Sequence, residues 1–187
     1  MPANAPIGKS SLKRSAGDHS GSAAEFTIRP PRVEDGAALW RIARDSKVLA
    51  LNSPYSYLLW CRDFAGTSLV VCDGRDEPVG FVTGYLRPER QHTLLVWQIA
   101  VDAAHRGRRL AGALLDELTM RTVQAHGLSA VETTITPTNT ASKRLFTSFA
   151  ERHGAVVRPE DLFNDKHFPD GTAQEPEVLY HIAPLSS

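Results

Sequence analysis

Alternating blocks of apolar and polar residues predict a chain that passes repeatedly between strands and helices. Near residue 26, the segment "FTIRP" predicts a short strand that Pro30 and Pro31 end. The next segment, "VEDGAALWRIARD", places its apolar residues at roughly helical spacing, and "NSPYSYLLWCRDFAG" predicts a second helix. Ser53 and Pro54 are residue types that favour the cap and the first position of that second helix.

Three strands are expected next, because "SLVVCD" and "EPVGFVTGYLRP" flank the turn "GRDE" and "TLLVWQIAVD" is apolar enough for the middle of a sheet. A helix follows, ends at His126-Gly127, and has four leucines on one face: Leu110, Leu114, Leu115 and Leu118. "AVETTITP" predicts a further strand, "NTASKRLFTSFAERHG" a further helix, and "EVLYHIA" a closing strand.

This order of elements predicts the α/β class, with a mixed sheet that carries helices on both faces. Residues 25–187 are expected to form a single domain, and residues 1–24, rich in Ser, Gly and Ala, a disordered tail. In such folds a ligand usually lies beyond the carboxyl ends of strands. The strand that ends near Asp102 and the helix after it are therefore the first place to look for a site.

Charge and composition exclude several classes of function. The 187 residues include 21 basic and 21 acidic side chains, and this balance argues against nucleic acid or an anionic membrane as a partner. No apolar run approaches the ~18 residues that a membrane span needs, and the first residues lack the apolar core of a secretory signal. The protein is expected to be cytoplasmic, with Cys61 and Cys72 reduced and packed in the core.

Positive charge is concentrated at one helix start, in the segment "HRGRRLAGALLDEL". A helix start already presents unpaired N–H groups and the positive end of the helix dipole, so added arginines favour a phosphate ligand. Neither the G-x-x-x-x-G-K-[ST] loop of nucleotide-binding proteins nor a G-x-G-x-x-G dinucleotide fingerprint occurs. A capped surface helix with solvated arginines remains the plain alternative.

The segment from Arg106 to Ala111 resembles the pyrophosphate-binding pattern Q/R-x-x-G-x-G/A of the GNAT superfamily of N-acetyltransferases. Arg109 stands where the pattern has its middle glycine. Further along, "TPTNTASKRLF" resembles the N-x-x-A-x-x-L-[YF] element of the same superfamily. The resemblance implies a mostly antiparallel GNAT-type sheet with a splayed central strand, and acetyl-CoA as co-substrate. It also implies these cofactor-binding residues: Ile99, Ala100, Val101, Arg106, Gly107, Arg108, Arg109, Leu110, Ala111, Gly112, Asn139, Ser142 and Phe146.

Longer segments narrow the resemblance to one branch of the superfamily. "NSPYSYLL", "TLLVWQIAVD" and "ETTITPTNTASKRLF", within residues 26 to 184, resemble the diaminobutyrate acetyltransferases of ectoine biosynthesis. That family acetylates the γ-amine of L-2,4-diaminobutyrate, and the resemblance also suggests a homodimer. Two departures concern the acceptor: Ala50 and Leu51 lie where the family often has an acidic residue, and Gln174 replaces a histidine.

Acetyl transfer needs a neutral amine, and only about one amine in 2,000 is neutral at pH 7 when its pKa is about 10.4. A nearby carboxylate that accepts the proton removes a cost of about 4.5 kcal/mol. We predict that Glu177 is this base, with Glu132 the second candidate and a solvated Glu177 the alternative. A backbone N–H near Ile99 to Val101 is expected to stabilise the oxyanion.

The acceptor is expected to contact several other side chains. Trp97 is expected to stack over the substrate, although core packing explains it equally well. Ser53 is a candidate for binding the amino-acid end of the substrate, but a role as helix cap explains it equally well. Phe146 has no proton to give to the departing thiolate. The full set predicted to bind substrate is Asn52, Tyr55, Trp97, Thr134, Gln174 and Glu177.

Other functions stay open at this point. The acceptor is alternatively a polyamine, another diamino acid or a protein amine, and a third hypothesis is a non-catalytic regulatory domain that binds acetyl-CoA. The histidines show no metal-ligand spacing, so no metal is predicted. Neither cysteine has the neighbours of a nucleophile, which favours direct transfer in a ternary complex over an acetyl-enzyme.

Overall fold

Most of the chain alternates between strands and helices in the computed structural model, which describes residues 26–170 and 175–185 and the backbone of 10–11. The elements are β1 (Ser10–Ser11), β2 (Thr27–Arg29), α1 (Gly36–Ser46), α2 (Pro54–Asp63), β3 (Ser68–Cys72), β4 (Pro78–Arg87), β5 (Arg90–Val101), α3 (Leu110–His126), β6 (Ala130–Ile135), α4 (Thr140–Arg152), β7 (Val156–Phe163) and β8 (Glu177–Ala183). Within the described ranges, no helix is long and apolar enough to cross a membrane.

The strands form one sheet in the order β1-β2-β3-β4-β5-β6-β8-β7, and every neighbouring pair is antiparallel except β5 with β6. The predicted mixed and mostly antiparallel sheet is therefore confirmed. The sequence did not predict β7, which carries Pro159 and is exposed along most of its length. Proline and charged residues are tolerated there because β7 is an edge strand. The predicted tail lies outside the described residues except for β1, which pairs with β2.

Two apolar cores cover opposite faces of the sheet. Alternation along β3 shows this, because Leu69 and Val71 pack under α3 and α4, whereas Val70 and Cys72 pack under α1 and α2. We call the first side the α3 face and the second side the α2 face. Helices on both faces were predicted, and their presence is confirmed.

The central strand β5 carries a bulge at Trp97. Thr83 of β4 pairs with Gln98, but the next β4 residue, Gly84, pairs with Val96. The extra residue reverses the alternation, so Val96 faces the α3 core whereas Gln98 and Ala100 face α1 and α2.

A gap opens between β5 and β6 just beyond this bulge. Their parallel pairing spans only Thr93–Val96 against Ala130–Thr133, although β5 continues to Val101 and β6 to Ile135. The predicted splayed central strand is confirmed. The sheet is therefore open between these two strands, at the carboxyl end of each.

A buried ion pair joins the start of the sheet to the segment that leads into α1. Arg29 Nη1 lies 2.6 Å from Asp35 Oδ2 and Nη2 lies 3.0 Å from Oδ1, and the two side chains are 6% and 8% exposed. The hydrogen bonds to Asp35 hold the pKa of Arg29 above its usual value. Loss of one partner would leave the other charge buried and uncompensated.

Arg29→Met is therefore expected to lower the free energy of unfolding by about 3 kcal/mol or more. Arg62→Met is the control, because its ion pair with Asp63 is solvent-exposed and is expected to contribute little to stability. Urea denaturation of the two variants measures the difference. Equal losses in both variants would contradict a stabilising role for the buried pair.

Candidate active site

A groove of about 970 Å³ lies on the α3 face, between the start of α3 and one side of α4. Four arginines line it, Arg106 and Arg109 before α3 and Arg144 and Arg152 on α4, against the single acidic residue Asp116. Asp116 already pairs with Arg152 at 2.8 Å. The groove therefore carries net positive charge, and an anion of several charges suits it.

The backbone at the end of this groove presents a run of free donors. From Gly107 to Gly112, the N–H groups make no hydrogen bond within the described part of the chain. These groups include the first turn of α3, where the helix dipole is positive. Arg106 ties the loop to the sheet, because its Nε donates to the Val101 carbonyl oxygen at 3.2 Å.

Arg109 holds an unusual backbone conformation at the start of α3. Its φ is 61° and its ψ is 18°, in the left-handed region that favours glycine. This is the position at which the superfamily pattern has glycine. The chain thus keeps a conformation suited to glycine while adding a positive charge.

The gap between β5 and β6 exposes backbone donors of the central strand. The N–H of Asp102 donates to the Val79 carbonyl oxygen at 2.8 Å, toward β4. Because N–H direction alternates along a strand, the N–H groups of Ile99 and Val101 point toward the gap instead. They lie where the sequence predicted an oxyanion donor.

Aromatic and acidic side chains surround the other end of the gap, on the α2 face. The ring of Trp97 stacks on Trp60 of α2 with centroids 4.6 Å apart, and Trp97 remains 37% exposed. Thr134 and Glu177 lie on neighbouring strands and direct their side chains to the same face, as their alternation with the buried core residues shows. The structure therefore brings Thr134 and Glu177 together, and Trp97 faces the same side of the sheet.

Glu177 is half-buried, and this burial raises the pKa of its carboxyl group. The side chain of Thr134 acts in the opposite sense, and the charge of Glu175 adds to the rise. Such a carboxylate is a stronger proton acceptor than a solvated one.

A buried hydrogen-bond network joins α2 and the segment before it to β5 on the α2 face. Tyr57 OH donates to Gln98 Oε1 at 3.1 Å, and Gln98 Nε2 donates to the Ala50 carbonyl oxygen at 2.8 Å. Asn52 Nδ2 donates to the same carbonyl at 3.3 Å. Sequence reasoning missed Tyr57 and Gln98, because only the bulge at Trp97 turns Gln98 toward α2.

Glu132, the second candidate base, is fully buried and fully engaged. Its carboxylate accepts from Arg87 Nη1 at 2.6 Å and from Arg90 Nη1 at 3.5 Å, and it lies 3.0 Å from His181 Nδ1. A carboxylate held in this way has no free oxygen for the ammonium of a substrate. The structure therefore argues against Glu132 as the base.

Several other predicted residues are not placed as expected. Ala100 packs in the α2-face core with its N–H directed to β4, and Arg108 lies over the Phe26 ring, 5.7 Å from its centroid. Phe146 is 1% exposed in the α3-face core, and Tyr55 is 65% exposed. Gln174 lies outside the described residues.

The start of α4 lies beside the groove, with Asn139 as its cap. Asn139 Oδ1 accepts from the Ser142 N–H at 3.1 Å, so the local fold already uses that oxygen. Ser53 does begin α2, but its hydroxyl pairs with Ser56 Oγ and not with the backbone.

Neither cysteine suits nucleophilic catalysis. Cys61 and Cys72 are both buried, and burial raises the pKa of each thiol to about 12. Almost no thiolate is present at neutral pH as a result. Within the described ranges, no three His, Cys, Asp or Glu side chains are grouped to hold a metal ion.

Two parallel strands that separate beside a cationic helix start, as β5 and β6 do beside α3, are typical of acyl-CoA-dependent transferases. Comparison with known families agrees with this class. The acetyltransferase (GNAT) family matches residues 36–150. The chain belongs to this family.

Individual proteins similar to this chain show which branch of the GNAT family it resembles. The chain is 63% identical to the L-2,4-diaminobutyric acid acetyltransferase of Streptomyces coelicolor, over 88% of this chain and 96% of that protein. It is 60% identical to the enzyme of the same name from Streptomyces anulatus, over 91% and 97%. The diaminobutyrate acetyltransferase of Paenibacillus lautus, solved with L-2,4-diaminobutyric acid and coenzyme A, superposes with a TM-score of 0.82 at 36% identity. That alignment covers 88% of this chain and 98% of the other.

The conformation of Arg109 leads to a prediction about stability. Arg109→Gly is expected to have a free energy of unfolding about 1 kcal/mol higher than Arg109→Ala, because glycine adopts positive φ without a Cβ penalty. Both variants lose the same charge, so chemical denaturation isolates the backbone effect.

Arg108, which lacks positive φ, provides the matched control. At Arg108 the order is expected to reverse, because glycine costs more backbone entropy on folding. The same order at both positions would show that residue 109 is not strained.

Proposed function

We propose that this protein transfers the acetyl group of acetyl-CoA to the γ-amine of L-2,4-diaminobutyrate, by direct attack in a ternary complex. One observation carries the proposal: the gap between β5 and β6 lies between a cationic groove on the α3 face and the side chains of Trp97, Thr134 and Glu177, which face the α2 side of the sheet. The relatives of the same branch give the acceptor its identity. The product belongs to ectoine biosynthesis, and we further propose a cytoplasmic homodimer with one catalytic domain over residues 25–187.

Acetyl-CoA is proposed to bind with its pyrophosphate at the start of α3. The free N–H groups from Gly107 to Gly112 suit its phosphate oxygens, and Arg106 and Arg109 supply charge. Arg144 and Arg152 extend the positive surface along α4. The pantetheine arm then runs past Ala141 and Leu145 toward the gap.

The gap is proposed to hold the thioester between two sets of groups. As the amine attacks, a C–N bond forms, and negative charge develops on the carbonyl oxygen. The N–H groups of Ile99 and Val101 are aimed at this region and stabilise that charge. The C–S bond then breaks, and the nitrogen gives its second proton to the departing thiolate or to solvent, since Phe146 takes no part in proton transfer.

Glu177 is proposed to accept the proton of the substrate ammonium. Its raised pKa makes it a better base, and its side chain lies beside Thr134 on the α2 face. Trp97 covers the substrate chain and limits access of water. No covalent acetyl-enzyme is needed, which agrees with the buried state of both thiols.

The acceptor is tested by thiol release from acetyl-CoA with L-2,4-diaminobutyrate, ornithine, lysine, putrescine and no amine. Diaminobutyrate is expected to give the highest kcat/KM, because the longer amines overshoot a pocket of fixed depth. Preference for putrescine would indicate a polyamine enzyme instead. Binding of CoA without release by any amine would indicate a regulatory domain.

Glu177→Gln is expected to lower kcat/KM at pH 7 by about 10²- to 10⁴-fold, the usual contribution of a general base. The wild type acts on the ammonium form, so its rate is expected to level off above the raised pKa of Glu177. In the variant only the neutral amine reacts, so kcat/KM is expected to rise with pH up to the pKa of the amine. A pH profile of kcat/KM for each protein measures this.

Glu175→Gln is the control, because Glu175 is exposed and hydrogen-bonded to Thr138. It is expected to keep the wild-type profile, with its rising limb moved slightly to lower pH.

Burial penalises the ionised form of Glu177, and this penalty is present above its raised pKa. The Glu177→Gln variant is therefore expected to be no less stable than wild type at pH 7. Parallel profiles in wild type and Glu177→Gln would exclude Glu177 as the base.

A further inference from the structure

A cluster of charged side chains lies on the α2 face next to the proposed acceptor pocket, and the mechanism above does not use it. It consists of Glu132 with Arg87, Arg90 and His181, which come from four different segments of the sheet. Glu132 is 0% exposed, whereas the side chains of Arg87 and His181 are 31% and 34% exposed. The basic groups thus face outward over a buried acid.

The charges of this cluster do not balance. Two guanidinium groups share one carboxylate, so the cluster carries an excess positive charge even when His181 is neutral. A purely structural role for Glu132 needs only one close partner, and Arg87 alone supplies a contact of 2.6 Å. The excess charge is available to a second anion on the exposed side of the cluster.

The sheet register places this excess charge at a definite distance from the reaction. Leu95, Glu132 and His181 form one row across β5, β6 and β8. Thr134 lies two residues further along β6, about 7 Å away, at the edge of the gap. In extended diaminobutyrate, four bonds and about 5 Å separate the γ-nitrogen from the carboxylate carbon. A substrate with its amine at the gap is therefore long enough for its carboxylate to approach this row.

The large side chains on this part of the α2 face offer no positive charge for a carboxylate. Trp60, Tyr85 and Trp97 are aromatic, and Glu177 is an acid that would repel a carboxylate. An amino acid bound there needs a cation at the end opposite Glu177. Arg87, which crosses the sheet surface from β4 to reach Glu132, is a cation that contacts this row directly.

We propose that Arg87, held in place by Glu132 and assisted by Arg90 and His181, binds the α-carboxylate of the acceptor. The cluster then selects an amino acid over the corresponding diamine. This inference rests on the proposed function, since it concerns the same pocket. Glu132 acts in it as a positioning residue, because it orients the guanidinium without contact to the substrate.

The test compares L-2,4-diaminobutyrate with 1,3-diaminopropane, which is the same molecule without its carboxylate. In wild type, kcat/KM is expected to favour diaminobutyrate strongly. Arg87→Gln is expected to reduce the ratio of the two kcat/KM values by about 10- to 100-fold, the loss typical of a charge-assisted contact. Arg87→Lys, which keeps the charge but not the planar fork, is expected to fall between the two.

The ratio is measured on one preparation of each variant, so partial misfolding does not change it. Arg121→Gln is the matched control, because Arg121 is also a partly buried arginine paired with a glutamate but lies on α3. It is expected to keep the wild-type ratio. Glu132→Gln tests the positioning role, and it is expected to lower the ratio in the same direction as Arg87→Gln.

An unchanged ratio in Arg87→Gln would overturn the inference, even if both rates fell together. A wild-type ratio near one would overturn it as well, because no carboxylate recognition would then exist. Failure of the wild type to acetylate either amine would overturn the proposed function itself, and the inference with it. A ratio that falls only in the Arg87 and Glu132 variants supports the inference alone.

Discussion

The loss of pairing between β5 and β6 is the constraint on which the rest of the site depends. Parallel pairing ends at Val96 and Thr133, immediately before the bulge at Trp97. Without that bulge, Gln98 would face α3 and the N–H groups beyond it would point to the wrong strand. The bulge and the gap together leave polar backbone unpaired in the middle of a sheet, where a ligand, a side chain or water must satisfy it.

The two faces of the sheet divide the chemistry between them. The α3 face supplies positive charge and free N–H groups for a phosphorylated cofactor, and Arg109 keeps its left-handed conformation to form that end. The α2 face supplies aromatic rings, the half-buried Glu177 and a cluster of arginines around Glu132. Separation by the sheet keeps the cofactor's negative charge away from Glu177, the group proposed to accept a proton.

Sequence patterns predicted nearly all the elements, because most strands and helices are marked by apolar periodicity and by glycine or proline stops. They missed β7, whose exposure removes the apolar pattern. For the site, motif resemblance pointed to the groove at Arg106 to Gly112, although the side chains of Arg108 and Phe146 do not line it. The contacts of Gln98 and Glu132 depend on a bulge and on strand register, and neither is visible in local sequence.

The most direct test is a crystal structure with a bisubstrate analogue, in which an acetyl bridge joins the diaminobutyrate γ-nitrogen to the CoA sulfur. If acetyl transfer takes place in the gap, the CoA half of the analogue lies on the α3 face and the amino-acid half on the α2 face. The bridging carbonyl oxygen then lies within hydrogen-bonding distance of the Ile99 or Val101 N–H. Both halves of the analogue on one face, or a bridge that lies away from β5, would contradict transfer in the gap.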